Sequence, residues 1–319
     1  MESFEDFGVL LPTRGVLVYA GGGKPKVELN WQMAETAERL GYDSVWVGDS
    51  ITSKPRLEPL TIMAALAART NRVKIGTAVM LTALRHPVHL AHAIATIDNI
   101  SNGRVILGAG AGRGDHQMFI QEYDAVGVPI KERAPRMEEG IRLMRELWTG
   151  DEVTNPQGSY PLDHVALEPR PVQETVPIWL ASSWVRRGLR RVAELGDAWI
   201  TNVPTVEVFS DCWQKISEHA ESIGRDPKPI GRCLYISVNI NTEEAALEEG
   251  DLFMRAYYSR PYDVISKTLL CVFGPAQKCA DTIMRYREAG ADYFIVRFAS
   301  PTQMEQLAKF TETVLPRLR

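Results

Sequence analysis

The chain has 319 residues, 45% hydrophobic and 24% charged, with a formal net charge of −4. This is the profile of a globular protein with a sizeable core, at a length that single α/β barrels commonly reach. No basic stripe stands out, which argues against a nucleic-acid partner, and no uninterrupted apolar run is long enough to span a membrane.

The opening M-E-S-F-E-D-F-G lacks a basic region followed by an apolar run, so no secretory leader is expected. Cys212, Cys233, Cys271 and Cys279 show no C-x-x-C spacing and read as ordinary buried thiols of a reducing cytoplasm.

Apolar runs alternate with helical patterns almost from end to end. Residues 7–11 (F-G-V-L-L) read as a buried strand. Residues 27–40 have helical spacing, with Gly41 positioned to cap them. D-S-V-W-V-G (43–48) predicts the second strand and 57–69 the second helix. Residues 73–79 predict the third strand and 87–100 the third helix, which proline can open because it needs no amide partner there. The fourth strand falls at 105–110, followed by a long excursion (111–134) and a helix over 135–149.

Residues 150–175, with four prolines, read as an extended insertion with a hairpin as one option. The fifth strand is expected at 176–181 with its helix at 185–195, the sixth at 197–201 with a helix at 206–223, and the seventh at 233–240. A second insertion, mostly helical, covers 242–274. A helix at 275–289, the eighth strand at 292–298 and a last helix at 301–318 complete the pattern. Eight strand–helix units predict a (β/α)8 TIM barrel forming one domain over 1–319. An open doubly wound sheet is disfavoured, because L-P-T-R-G after the first strand is no G-x-G-x-x-G fingerprint.

In such a barrel the strand carboxyl ends share one mouth. The candidates there are Pro12, Thr13 and Arg14; Asp49 and Ser50; Ala78, Val79 and Met80; Gly110, Gly112, Arg113 and Gly114; Ala181, Ser182 and Ser183; Thr201 and Asn202; Arg297 and Ser300. The set lacks paired acids for glycosidic chemistry, a histidine–carboxylate metal cluster and a convincing serine–histidine pair. Small residues, backbone amides and arginine remain, which suits a bound cofactor that the protein orients. G-A-G-R-G (110–114) can approach a ligand closely, with Arg113 as a phosphate clamp, and Ala181-Ser182-Ser183 at a helix start can cradle the same phosphate. His86, His89 and His92 recur at helical spacing, but Pro87 interrupts them and no acid completes a metal site. Tyr257, Tyr258 and Tyr262 fall near the expected mouth, either shaping a substrate pocket or covering the barrel.

Taken together, G-Y-D-S-V-W-V-G-D-S (41–50), I-G-T-A-V (75–79), R-H-P-V-H-L-A-H-A-I-A-T-I-D-N-I-S-N-G-R (85–104), L-G-A-G-A-G-R-G (107–114) and P-I-W-L-A-S-S (177–183) resemble the bacterial luciferase-like monooxygenase superfamily over nearly the whole chain. That superfamily groups flavin-dependent monooxygenases with deazaflavin-dependent oxidoreductases. The resemblance implies a barrel with insertions, commonly a homodimer, and a non-proline cis peptide between Ala78 and Val79 beneath the coenzyme ring. It implies a phosphate held by Arg113, Ser182 and Ser183, with Thr13, Ala78, Val79, Gly112, Gly114 and Ala181 also in the coenzyme site. Asp49 and Ser50 match a catalytic pair facing the reactive ring edge, where many relatives carry histidine and this chain does not. Gly112 matches a position near the ring carbon that forms a peroxide, where glycine would leave room.

The resulting expectation is a cytoplasmic two-component monooxygenase that takes reduced FMN from a separate flavin reductase and uses dioxygen on a small organic substrate. The alternatives are a deazaflavin (coenzyme F420)-dependent dehydrogenase transferring hydride, and a flavin-binding protein without turnover.

Overall fold

The computed structural model describes residues 4–318, with side chains from Asp6 onward. Residues 1–3, on which the reading of the opening segment partly rests, lie outside it. β1 (Phe4–Leu10) leads through a single helical turn, α1 (Gly15–Val18), to α2 (Leu29–Leu40). Then come β2 (Tyr42–Val47), α3 (Pro59–Arg69), β3 (Lys74–Thr77), α4 (Pro87–Ser101) and β4 (Val105–Ala109). The excursion after β4 carries α5 (Gln117–Asp124) and runs into α6 (Arg133–Leu147). β5 (Val153–Asn155) and β6 (Leu162–Val165) pair antiparallel, so the proline-containing insertion is a hairpin. β7 (Ile178–Ala181), α7 (Arg186–Leu195), β8 (Ala198–Thr201), α8 (Val206–Ser222) and β9 (Gly231–Ile240) follow. The chain continues through α9 (Glu243–Tyr258), α10 (Tyr262–Ile265), β10 (Cys271–Gly274), α11 (Ala276–Glu288), β11 (Tyr293–Phe298) and α12 (Gln303–Thr313).

The parallel strands run in the order β1-β2-β3-β4-β7-β8-β9-β11, and β11 pairs back onto β1, closing an eight-stranded TIM barrel. The second insertion is mostly helical as expected, through α9 and α10, but it ends in a strand, β10, that the expectation lacked. β9 is ten residues long, and β8 covers only Gly231 to Leu234. β10 fills the remaining edge, pairing with Ser237 to Ile240. A four-residue apolar run does not distinguish strand from helix by periodicity.

Period-two alternation sorts the barrel interior into layers. Leu10, Trp46, Ile106, Ile200, Cys233 and Ile295 form its buried middle. Trp46 occupies the volume that Gly8 and Gly76 leave: a Cβ on either glycine would lie 2.3 Å from the indole. Below it, Tyr293 donates to Ser44 and to Asp43, and its ring meets Trp179 edge-on. Outside, the helices pack their apolar faces on the strands, as Ile62, Met63 and Leu66 of α3 and Leu90, Ile94 and Ile97 of α4 do. Helix ends follow their sequence signals. Gly41 closes α2 at φ 91°, and the His86 ring accepts from the Val88 amide at the start of α4.

Candidate active site

At the end of β3 the Ala78–Val79 peptide is cis, as the family resemblance implies. Neighbours hold this segment from both sides. The Ala78 amide donates to Val47 O at 2.7 Å and the Leu81 amide to Asp49 Oδ2 at 2.9 Å. From β4, Gly108 O accepts from the Met80 amide at 2.7 Å, and the Gly110 amide donates to Met80 O at 2.9 Å. Gly108 is required here, since a Cβ would sit 1.8 Å from Thr77 O. Ala78, Val79 and Ala181 pack on the barrel interior yet remain partly exposed, forming an apolar floor at the mouth.

Asp49 and Ser50 stand at the end of β2, and both are engaged within the protein. The Asp49 side chain is fully buried, and Arg85 donates to it through Nη1 at 2.6 Å and Nη2 at 3.0 Å. Ser50 Oγ donates to Glu122 at 2.9 Å and accepts from the Lys54 amide. Glu122 also receives the amides of Ile51, Thr52 and Ser53. Burial pushes its pKa up, but hydrogen bonds led by those of Ser53 outweigh burial and hold it below the usual carboxylate range. The pair therefore tethers the loop after β2 and braces the bulge.

Across the mouth, Gly112 has φ 68°, and a Cβ there would lie 2.6 Å from the Tyr123 hydroxyl. The room expected at Gly112 is thus taken by Tyr123, which donates to Ala111 O at 2.9 Å. Gly114 lies against Arg133 and Ile130. Arg113 is 61% exposed on its side chain and forms a two-point pair with Asp115. Arg113 stabilises the Asp115 carboxylate by hydrogen bonding, lowering its pKa to about 2. Ser182 and Ser183 are half-buried just before α7, whose start has no side-chain cap and carries Arg186 and Arg187 in the first turn. An arginine, two hydroxyls and uncapped helix amides beside an apolar floor fit a flat ring with a phosphate at one end.

Thr13 is fully buried and accepts from Arg56 Nη1 at 3.2 Å. It introduces a cluster of cations on the β11–β1–β2 side, in which Arg14 and Arg297, both expected at the mouth, are joined by Arg56 and Lys54, which were not. Arg56 also donates to the Tyr257 hydroxyl at 3.1 Å and occupies the space beside Gly48, where a Cβ would lie 2.1 Å from its Nη1. The Arg14 guanidinium stacks 4.8 Å from the centroid of the Tyr257 ring. Arg297 points into the top of the barrel and donates to the Tyr258 hydroxyl and to Ser237 Oγ. Lys54 lies over Phe119 and Tyr258, and desolvation, reinforced by Arg14, Arg56, Arg113 and Arg297, lowers its pKa to about 8. Alternation in Y-F-I-V-R-F places Arg297 on the inward face with Tyr293 and Ile295, in keeping with its expected place at the mouth. Tyr257 and Tyr258 line this cluster, whereas Tyr262 packs on Phe273 behind it. His86 meets His89 at a tilt and Tyr160 edge-on at the surface, and among the described residues no group of three or more potential ligands is placed to hold a metal.

Fold and mouth define a (β/α)8 barrel with a ligand site at the carboxyl ends of its strands. The chain belongs to the luciferase-like monooxygenase family, whose sequence profile matches residues 6–293. It is 30% identical to an F420-dependent glucose-6-phosphate dehydrogenase of Amycolatopsis mediterranei, covering 90% of this chain and 93% of that protein. A protein of the same name from Kribbella flavida is 28% identical over the same shares. The fold matches that of an F420-dependent secondary alcohol dehydrogenase in complex with an F420-acetone adduct, at TM-score 0.79 and 22% identity over the full length of both chains. These relatives overturn the expectation of a two-component FMN monooxygenase. They favour the deazaflavin alternative, and reduced FMN as the main cofactor has no support among them.

Proposed function

We propose that the protein is a deazaflavin (coenzyme F420)-dependent oxidoreductase that transfers hydride between the coenzyme and an organic substrate. The observation that carries this reading is full-length similarity to F420-dependent dehydrogenases, and the cis bulge, apolar floor and phosphate-sized cradle are consistent with it. When bound, the coenzyme supplies a ring carbon that gives or accepts hydride.

Arg113, Ser182, Ser183 and the first amides of α7 hold the phosphate end. Ala78, Val79 and Ala181 support the ring, while Thr13, Gly112 and Gly114 shape the walls. Asp49 and Ser50 act as positioning residues, the first by fixing Leu81 and the second by fixing the 50–54 loop. An alcohol that loses hydride must also lose its hydroxyl proton, and the Tyr257 hydroxyl is the group poised to move it. Burial pushes its pKa up, but Arg56, Arg297 and Arg14 outweigh burial and bring it below the usual phenol range.

The test is titration of the purified protein with oxidised F420 and, separately, with FMN, followed by an alcohol panel read through loss of the oxidised coenzyme's absorbance. Binding of F420 with substrate-dependent bleaching is expected. Oxygen consumption with reduced FMN, together with no affinity for F420, would overturn the proposal.

A further inference from the structure

The cations on the β11–β1–β2 side stand on strands opposite the one that carries the serine pair. Arg14 is 6% exposed and Arg297 2%. Buried charges are normally paired, because an isolated one loses its hydration without compensation. Here no carboxylate bonds Arg14, Arg56 or Arg297 among the described residues; their electrostatic neighbours are one another and the tyrosines. Arg14 Nε and Nη1, Arg56 Nε and Arg297 Nε are buried without a hydrogen-bond partner. Planar donors left unsatisfied in a fork geometry match a planar or tetrahedral oxyanion.

All three guanidiniums converge on Tyr257. Arg56 reaches its hydroxyl, Arg14 lies 4.8 Å and Arg297 5.0 Å from its ring centroid. They come from three places in the chain: the start of α1, the loop between β2 and α3, and β11. Strand order puts this group opposite the serine pair after β7, and Phe119 lies between its outer edge and Arg113, 5.5 Å from Lys54 Nζ and 5.6 Å from the Arg113 guanidinium.

We infer that Arg14, Arg56 and Arg297 form a subsite for an oxyanion of the substrate, a phosphate or carboxylate group, on the far side of the ring from the coenzyme's phosphate. This rests on the F420 reading for its division between coenzyme and substrate, while the oxyanion site itself rests on the arginines alone. Lys54, at the edge of the cluster over Tyr258, adds a further positive charge facing the entering anion.

The test titrates inorganic phosphate, and separately succinate, into F420-saturated protein by calorimetry, so that the coenzyme's own phosphate position is already filled. The same titration is run on apo-protein and on the Arg14→Met and Arg56→Met variants, which spare the more deeply inserted Arg297. Saturable binding of at least one anion is expected, weakened at least tenfold in each variant, with F420 affinity within about twofold of wild type. Two results would overturn the assignment: no saturable binding of either anion, or equal binding by wild type and variants. A tenfold loss of F420 affinity in Arg56→Met would give the cluster to the coenzyme's own anionic tail and remove the substrate from it. If F420 fails to bind wild-type protein, the coenzyme reading falls, while the apo-protein titration still decides the oxyanion site.

Discussion

Asp49 offers the sharpest test of how the mouth is built. Its carboxylate receives two bonds from Arg85, at 2.6 and 3.0 Å, and one from the Leu81 amide. Asp49→Asn keeps an acceptor for Leu81 but removes the charge that compensates Arg85. Breaking a buried pair costs about 3–5 kcal/mol when the remaining charge is stranded. Arg85 is 14% exposed and keeps Glu58 at 3.1 Å, so a loss of about 2–3 kcal/mol is expected. Urea denaturation should show a lower midpoint with an unchanged slope. Arg85→Met should behave similarly, and the double variant should lose less than the sum, since both remove the same contact. F420 affinity should fall in both single variants, because Leu81 and the bulge lose the same brace. If Asp49→Asn kept its denaturation midpoint and its F420 affinity but lost turnover, while Arg85→Met stayed active, Asp49 would act on the substrate directly and the bracing argument would be wrong.

Arg113→Ala should weaken F420 binding by about 1.5–3 kcal/mol, the loss of a charge-assisted contact, or roughly tenfold to over a hundredfold in a fluorescence titration. Tyr257→Phe should lower kcat with F420 affinity unchanged and remove the alkaline-side activation of the wild-type pH–rate profile. Burial and the neighbouring arginines bring the pKa of folded Lys54 down to about 8, from the 10.5 of an ordinary lysine. Between those values the unfolded chain holds a proton that the folded chain does not, so apo-protein stability relative to Lys54→Met should rise with pH across that window, as measured by urea unfolding at its two ends. Gly76→Ala places a Cβ 2.3 Å from the Trp46 indole; overpacking of about 1–3 kcal/mol is expected, with a change in tryptophan fluorescence.

Most of the barrel was legible because each strand carries its own evidence. V-I-L-G-A and Y-F-I-V-R-F are short apolar runs bounded by turn signals, and the helices between them repeat their apolar residues at helical spacing. Gly41 and Pro87 gave helix limits to within about two residues, because their backbone restrictions are local. β10 escaped for the opposite reason. C-V-F-G has no periodicity of its own, and it becomes a strand only because β9 outruns β8 and leaves an unpaired edge.

The site divides along the same line between local and non-local causes. The bulge, the glycine loop and the serine pair are contiguous segments, so a family pattern could carry them. What Asp49 and Ser50 bond to depends on Arg85 and Glu122, which come from other elements, so their roles could not be read from position alone. The room at Gly112 also looked open until Tyr123 of α5 was seen to fill it. The cation cluster is the extreme case: strand ends place Arg14 and Arg297 at the mouth, Arg56 looks like a surface residue before a helix, and nothing local shows that the three converge. Closure of the barrel turns three unremarkable arginines into a concentrated charge. No carboxylate bonds these guanidiniums among the described residues, and four of their nitrogens are buried without a partner, so an anion arriving from solution is the group that would neutralise the charge.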